Sequence, residues 1–198
     1  MKRLKDIRRT EIMEHFHKVV NEHGFSGTSL AKVAKSAGMP TSLLLHYYKS
    51  KEEMIIGFVE FIIRKYEDFY LKPLESLTDP KKRLEYLVDT LLVERGDVME
   101  LVSDRGFYEC YALSITHPKV KKMFQQFYDR FRQSLIKELI DIEKTGIIKT
   151  KNADLAATLL IVLLEGKDFY GNMTEDEASC TRLRKYLKEV IYNIFSVS

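Results

Sequence analysis

The side chains best suited to bind a partner lie in one short segment, residues 28–51, TSLAKVAKSAGMPTSLLLHYYKSK. Within it, the turn Ala37-Gly38-Met39-Pro40 separates two stretches whose apolar residues have helical spacing. Gly38 supplies the conformation that ends a helix, and Pro40 favours the start of a new one. Two helices joined by so short a turn are typical of a helix-turn-helix, whose second helix reads base pairs in the major groove of DNA.

The second helix of this segment is expected from about Pro40 or Thr41 to Tyr47, with one side buried. Leu44 is expected to point inward, which leaves hydroxyl, imidazole and apolar groups for a groove. An ordinary helical corner is the alternative, because the same shape occurs in proteins that never touch DNA. The residues left for the groove are Thr41, Ser42, Leu45, His46 and Tyr47.

The residues before the turn predict two further helices, which complete a three-helix core. The first is expected from about Leu4 to Glu22, and Phe25 would close the core. Thr28 is expected to cap the second by accepting a hydrogen bond from an amide of its first turn. The apolar residues of that second helix recur three or four apart on one face: Leu30, Val33, Ala34 and Ala37.

Positive charge is concentrated in the N-terminal quarter of the chain. Residues 1–51 contain ten lysines or arginines and four acids, a net charge of +6. The whole chain carries +3 at pH 7, so the remaining residues carry −3. Basic residues beside the turn motif favour contact with phosphate, and we expect residues 2–9 to contribute. A solvated basic tail is the alternative for residues 2–9 taken alone.

Helical spacing of apolar residues runs through nearly the whole chain, and only four prolines and nine glycines interrupt it. The sequence therefore predicts an all-α fold, and 198 residues suffice for a small DNA-binding domain and a larger helical one. We place these domains at residues 1–50 and 51–198. A helix from Lys51 to about Tyr70 would link them, with Gly57 as a candidate hinge or, alternatively, a small-residue packing contact.

A longer pattern surrounds the turn motif, from about Ile12 to Met54. It comprises Gly24-Phe25, Thr28-Ser29-Leu30, Val33-Ala34, Ala37-Gly38-Met39, Leu44, His46-Tyr47-Tyr48 and Lys49-Ser50-Lys51-Glu52-Glu53. This pattern resembles the N-terminal domain of TetR-family transcriptional regulators, in the family's order and without a gap. The rest of the chain shares only the family's all-helical layout.

The resemblance implies roles for single residues in DNA binding. Three match family positions that touch phosphate: Thr28, Tyr47 and Lys51. Four fall where family members approach base edges: Thr41, Ser42, Leu45 and His46.

The chain departs from the usual family pattern on this reading face. Pro40 stands where a capping Ser is common, and Ser42 where Gly is common. Leu43 and Leu45 replace a Thr and an aromatic residue. Leucine cannot hydrogen-bond a base, but it can contact the methyl group of thymine. We therefore expect an operator with A/T pairs under Leu45, the alternative being that both leucines pack on the domain core.

The resemblance also implies a homodimer, in which the last two helices pack against their copies as a four-helix interface. Two-fold symmetry would place the recognition helices roughly 34–36 Å apart, to match a palindromic site. Thr174 and Glu177 have the spacing of a capping box and predict the start of the last helix. Internal core is the alternative for these apolar faces. The predicted interface residues are Leu159, Leu163, Leu187, Ile191 and Ile194.

The larger domain is expected to hold a small-molecule pocket, as in the family that the chain resembles. Aromatic and thioether side chains in two adjacent helices suit an apolar or aromatic effector, and an aromatic core is the alternative. Acids would favour a cationic ligand: Glu100, Asp104, Glu109, Glu165 and Asp168. Arg105 would favour an anionic one. The predicted lining is Phe107, Tyr108, Tyr111, Met123, Phe127 and Phe131.

The function that these patterns predict is a ligand-responsive transcriptional regulator, a repressor that a small molecule releases from its operator. A ligand would act by shifting the helix from Lys51 to Tyr70. An activator of the same fold and a helical ligand-binding protein without DNA activity are the alternatives.

Enzyme activity is not expected, because the sequence lacks a phosphate-cradling glycine loop, a nucleophile elbow and a metal-ligand set. His15 and His17 lie two apart and so face different sides of a helix. We expect no metal or other cofactor. Two distant cysteines and the absence of a secretory leader predict a cytoplasmic protein. The apolar run 155–164 has only ten residues, half of what a bilayer requires, so we expect a buried helix there and no membrane span.

Overall fold

The computed structural model describes residues 2–92, 104–174 and 176–195, and these residues form helices joined by short connections without any strand. The predicted all-α class is confirmed. None of the described helices combines the length and the hydropathy that a membrane span needs. The helices are α1 Lys2–Gly27, α2 Leu30–Ser36, α3 Thr41–Tyr47, α4 Lys51–Tyr70, a 3₁₀ helix Lys72–Ser76, α5 Pro80–Leu91, α6 Asp104–Thr116, α7 Pro118–Glu143, α8 Ala153–Thr174 and α9 Glu177–Ile194.

The chain packs as two compact units. Of the described residues, the first unit comprises 2–66 and 104–126, and the second comprises 67–92, 127–174 and 176–195. Along the chain, α4 and α7 each begin in the first unit and end in the second. The first unit therefore contains α6 as well as the N-terminal helices. The domain bounds expected from the sequence, which follow chain order, stay a prediction.

Aromatic rings form the core of the first unit, where α1 packs on α4. The rings of Phe16 and Phe58 meet edge to face with their centroids 5.0 Å apart. Phe25, which was expected to close this core, lies with its ring 6.0 Å from that of Phe58. The ring of Phe61 stacks on that of Phe58, with the centroids 6.1 Å apart. Each such aromatic pair contributes about 0.5–1.5 kcal/mol beyond the burial of its area, so this cluster fixes α1 against α4.

The end of α1 is bent at Gly24, whose φ of 68° and ψ of 175° are not helical. The first helix is longer than expected from the sequence, since it resumes after this glycine and continues to Gly27. A left-handed φ costs a glycine little and other residues more. Gly24 therefore allows α1 to change direction where it meets α6.

Two charged side chains of α6 bind the backbone at this bend. The Glu109 carboxylate accepts a hydrogen bond from the Phe25 amide at 2.6 Å. The Arg105 guanidinium donates to the carbonyl oxygens of Asn21 at 3.2 Å and Glu22 at 3.4 Å. Unsatisfied carbonyls at the end of a helix are natural acceptors for a cation. These bonds tie α6 to the end of α1.

The second unit packs α5, α8 and α9 with the later turns of α7. Arg83 on α5 forms an ion pair with Glu138 on α7, and both side chains are largely buried. The Tyr86 hydroxyl donates to the Phe69 carbonyl at 2.9 Å, which joins α5 to the end of α4. The apolar residues buried at the centre of this unit include Leu135, Leu139, Ile142, Leu160, Ile191 and Phe195.

The start of α9 differs from the expected capping box. Asp176 caps this helix, because its carboxylate accepts a hydrogen bond from the Ser179 amide at 2.9 Å. Thr174 instead belongs to the last turn of α8, where its hydroxyl donates to the Tyr170 carbonyl at 3.0 Å. The expected cap was wrong because α8 extends to Thr174, which is therefore the last residue of that helix.

The apolar faces of α8 and α9 are covered to different extents within the chain. Of the predicted interface residues, Leu187 and Ile191 are buried inside the second unit, Leu163 and Ile194 are half-buried and Leu159 is exposed. Their assignment to a dimer interface stays a prediction. A row of large apolar side chains on α8 remains exposed: Leu155, Leu159, Val162, Phe169, Tyr170 and Met173.

Candidate nucleic-acid interface

The turn between α2 and α3 has the geometry that its residues predicted. Gly38 has a φ of 62°. Its amide donates to the Lys35 carbonyl at 3.2 Å, and the Met39 amide donates to the Ala34 carbonyl at 3.0 Å. These two bonds satisfy carbonyls at the end of α2. Pro40 precedes α3 in extended conformation, so the helix starts at Thr41 as expected.

Ser29, and not Thr28, caps α2. The Ser29 hydroxyl accepts a hydrogen bond from the Lys32 amide at 3.3 Å. Thr28 is buried, and its hydroxyl donates to the Gly24 carbonyl at 2.6 Å. The expected cap was wrong because the bend at Gly24 presents a carbonyl to Thr28, which turns its side chain toward α1. The phosphate contact of Thr28 stays a prediction.

The recognition helix α3 has a buried side and an exposed side. Leu44 is fully buried beneath it. Leu43 and Leu45 are 43% and 41% exposed, so neither packs on the core, as the alternative had required. Hydroxyl, imidazole and apolar groups therefore share one accessible surface. The exposed residues of this reading face are Thr41, Ser42, Leu43, Leu45 and His46, with Tyr47 half-exposed beside them.

Polar contacts between side chains and backbone fix the entry into α4. The Ser50 hydroxyl accepts a hydrogen bond from the Glu53 amide at 3.1 Å. In return, the Glu53 carboxylate accepts one from the Lys49 amide at 2.8 Å. This arrangement differs from a capping box, in which the return bond would come from the amide of the capping residue itself, here Ser50. Lys51 lies at the start of α4, where the positive end of the helix dipole adds to its own charge.

The chain after α3 is anchored by Tyr48, which sequence reasoning did not single out. Its side chain is among the largest that are fully buried, and this burial raises the pKa of the phenol. The Tyr48 ring lies against Gly57, where a Cβ atom would come within 2.8 Å of ring carbon Cε1. Gly57 is therefore a packing contact within a continuous helix, as the alternative to a hinge had proposed.

The basic residues near α3 are used in different ways. Arg8 is exposed and forms an ion pair with Glu11 at 2.6 Å. The Lys32 ammonium donates to the Gly27 carbonyl at 2.7 Å. Arg9 is half-buried: its guanidinium lies 4.3 Å from the centroid of the Tyr48 ring and donates to the Tyr47 carbonyl at 3.2 Å. Four other lysines in this part of the chain are exposed: Lys5, Lys18, Lys35 and Lys49.

The residues predicted to line an effector pocket fall into both units. In the first unit, the Phe107 ring is buried 6.1 Å from that of Phe124, while Tyr111 is exposed and Met123 half-buried. In the first unit, too, the Tyr108 ring lies 5.7 Å from that of Phe107. The role of these residues in binding a ligand stays a prediction.

In the second unit, Phe127 and Phe131 are buried and their rings stack 5.9 Å apart. The ring of Tyr128 lies 5.0 Å from that of Phe127, and its hydroxyl donates to the Glu165 carboxylate at 2.8 Å. Burial raises the pKa of Glu165, and the nearby charge of Asp168 raises it further, against the effect of the Tyr128 hydrogen bond. A carboxyl group thus lies beside aromatic rings in this unit.

The exposed reading face of α3, after a tight turn and in the positively charged part of an all-α chain, defines a helix-turn-helix DNA-binding regulator. Two parts of the chain match known protein families. Residues 12–57 match bacterial regulatory proteins of the tetR family, and residues 80–197 match the tetracyclin repressor-like C-terminal domain. Since the second match alone covers more than half of the chain, this chain belongs to the TetR family of transcriptional regulators.

Relatives of known name are similar at low identity. The transcriptional regulator BetI of Rhizobium meliloti (strain 1021) is 20% identical over 133 residues, which are 67% of this chain and 64% of that regulator. BetI of Yersinia pestis (strain Pestoides F) is 28% identical over 88 residues, 43% of this chain and 44% of that one. The chain thus matches less than two thirds of the length of either regulator.

Solved structures share the fold over nearly the whole chain. A TetR-family transcriptional regulator from Cytophaga hutchinsonii has a TM-score of 0.81 at 16% identity, covering 98% of each chain. A transcriptional regulator from Saccharomonospora viridis, solved in complex with choline, has a TM-score of 0.78 at 20% identity, covering 94% of this chain and 96% of that one.

Proposed function

We propose that this protein is a transcriptional repressor that binds a palindromic operator as a homodimer and is released by a small molecule. The observation that carries the proposal is the reading face of α3, whose hydrogen-bonding and apolar side chains are exposed above the buried Leu44. The protein acts by binding and not by catalysis, and it works in the cytoplasm, where its DNA target lies.

The proposed homodimer is supported by the row of apolar side chains on α8. Scattered apolar residues are normal on protein surfaces, but a contiguous row is typical of an interaction site. Val162 is 58% exposed at the middle of this row. A second copy of α8 would cover the row by two-fold symmetry and would also supply the second recognition helix that a palindrome requires.

DNA binding and repression are tested separately. In a gel-shift assay with the protein's own upstream region, we expect tight binding that weakens steeply with salt, because phosphate contacts release counterions. A reporter gene under the same region should be silenced by the protein. Salt-independent binding would contradict the phosphate contacts, and an increase in reporter expression would show an activator.

Leu45 is proposed to recognise thymine through its methyl group. Replacing the thymine under Leu45 by uracil removes only that methyl group and should weaken wild-type binding about threefold, the effect of one buried methyl contact. The same replacement should not affect the Leu45→Ala variant, which is the matched control. Equal losses in both proteins, measured by fluorescence anisotropy, would show that Leu45 does not contact the methyl group.

The effector is proposed to carry a positive charge together with apolar surface. Arg105, which would favour an anion, is engaged with α1 carbonyls, and Glu109 binds the Phe25 amide. Asp168 forms an ion pair with Lys167 at 2.9 Å. Glu100 and the side chain of Asp104 lie outside the described residues. Of the five acids predicted to favour a cationic ligand, this leaves Glu165 as the candidate.

Glu165 combines a carboxylate with aromatic neighbours, which is the chemistry that binds organic cations. A cation gains energy over an aromatic face and from a carboxylate held in low dielectric. The neutral Tyr128 hydroxyl that holds Glu165 would stay in place while a cation supplies the opposite charge. The regulator from Saccharomonospora viridis that shares this fold was solved with choline, a molecule of this class, which supports choline as a first probe.

Replacing Glu165 by glutamine should weaken choline binding at least tenfold, because the ion pair is lost while the side-chain shape is kept. Isothermal titration calorimetry measures the affinity. Glu189→Gln, on the exposed side of α9, is the matched control and should bind choline like the wild type. Equal affinities of the Glu165 variant and the wild type would contradict this site. Failure of the wild type to bind millimolar choline would exclude choline itself.

A further inference from the structure

We propose that Arg9 is a positioning residue for the recognition helix and not a phosphate contact. Its guanidinium holds the backbone at the C-terminal end of α3, where the reading face ends. This inference goes beyond the proposed repression, and it changes the sequence expectation that basic residues 2–9 bind phosphate.

The first observation is the hydrogen bond from Arg9 Nη1 to the Tyr47 carbonyl, at 3.2 Å. Tyr47 is the last residue of α3, whose final carbonyls have no partners within the helix. α3 has only seven residues, too few to be stable alone in water. The hydrogen bond from Arg9 to this carbonyl therefore fixes the position of the end of α3 relative to α1.

The second observation is the stacking of Arg9 on Tyr48. The Arg9 guanidinium carbon lies 4.3 Å from the centroid of the Tyr48 ring, a cation–π geometry. Gly57 on α4 also contacts this ring, and because glycine has no side chain, the ring can occupy the space beside it. The ring thus contacts both α1 and α4. Since Tyr48 directly follows α3, these contacts restrain any rotation of the recognition helix.

Burial distinguishes Arg9 from the basic residues around it. Arg9 is half-buried, whereas the basic residues Lys5 and Arg8 before it are exposed. A side chain that serves as a phosphate contact needs only its charge at the surface. A planar guanidinium that stacks on a ring and donates to a carbonyl depends on its shape, which lysine cannot reproduce.

The two roles therefore predict opposite results for Arg9→Lys, which keeps the charge and removes the planar group. The test uses a duplex that the wild-type protein selects from a random pool, and a scrambled duplex of equal length. For Arg9→Lys we expect about tenfold weaker binding to the selected duplex and unchanged binding to the scrambled one. Arg64→Lys is the matched control, because Arg64 on α4 is exposed and its guanidinium donates to the Glu60 carbonyl of its own helix, and it should bind both duplexes like the wild type.

A salt series and a melting curve complete the test. Arg9→Met removes the charge, and we expect its slope of log affinity against log salt to equal that of the wild type. A slope smaller by about two units, one for each protomer of the proposed dimer, would show lost phosphate contacts and overturn the proposal. Wild-type affinity in Arg9→Lys would overturn it as well. The melting curve gives the unfolded fraction of each variant at the assay temperature. If that fraction alone explained the loss of affinity, Arg9 would only stabilise the fold, and the proposal would be overturned.

Discussion

Val162→Glu should convert the proposed dimer into a monomer and abolish tight operator binding. Val162 lies in the exposed apolar row of α8, so glutamate there leaves the fold of the single chain intact. In a two-fold interface the new charge occurs twice and is buried without a partner. Each such burial costs several kcal/mol, so the dimer dissociation constant should rise about a thousandfold or more.

Analytical ultracentrifugation at micromolar concentration measures the oligomeric state, and circular dichroism checks the fold. Ile115→Glu is the matched control, because Ile115 on α6 is 72% exposed and equally apolar but does not belong to the α8 row. It should leave the dimer and its affinity for the operator unchanged. A Val162→Glu protein that sediments as a dimer would place the interface elsewhere.

Gly24→Ala should destabilise the first unit by about 2–4 kcal/mol. A residue other than glycine at a φ of 68° costs roughly 1 kcal/mol or more. The added Cβ would also overlap the Glu109 carboxylate and come within 3.0 Å of Arg105 Nη2. If Glu109 moves away, the charge-assisted hydrogen bond to the Phe25 amide is lost, which adds about 1.5–3 kcal/mol. Urea unfolding measures the change.

Gly38→Ala is the matched control for Gly24→Ala. Gly38 has a nearly equal φ of 62°, but among the described residues no atom beyond its chain neighbours lies within 4 Å of the position that its Cβ would take. Its substitution should cost only the backbone term, about 1 kcal/mol. In a double-mutant cycle, Glu109→Ala should make Gly24→Ala less costly, because the overlap is gone. Equal costs at both glycines would show that α6 contributes nothing to the bend.

The helix-turn-helix could be predicted from the sequence because its signals are local. Gly38 and Pro40 act on their own backbone and on that of their neighbours, so the turn and the start of α3 followed from residue types alone. The start of α5 is equally local, because Pro80 is its first residue and the Asp79 carboxylate accepts a hydrogen bond from the Lys81 amide at 2.9 Å. Leu44 was placed correctly by its spacing.

Features that depend on neighbouring helices were not predicted. Thr28 and Ser29 are adjacent hydroxyl residues, and either could cap α2 as far as spacing is concerned. Thr28 donates its hydroxyl to the Gly24 carbonyl, so Ser29 is the residue that caps α2. Gly57 was assigned as a hinge or a packing contact, and only the ring of Tyr48 from another element distinguishes the two. The contacts of Arg9 could not be predicted for the same reason, because its partners lie 38 and 39 residues away along the chain.

The sequence by itself determined that α8 and α9 each have a wide apolar face. Periodicity shows which residues share a side of a helix, but it does not show what covers them. Only the tertiary structure decided that Leu187 and Ile191 are buried within the chain while Leu155 and Val162 remain exposed. The physical reason is that burial depends on which helix lies opposite, and that is a property of the packed chain.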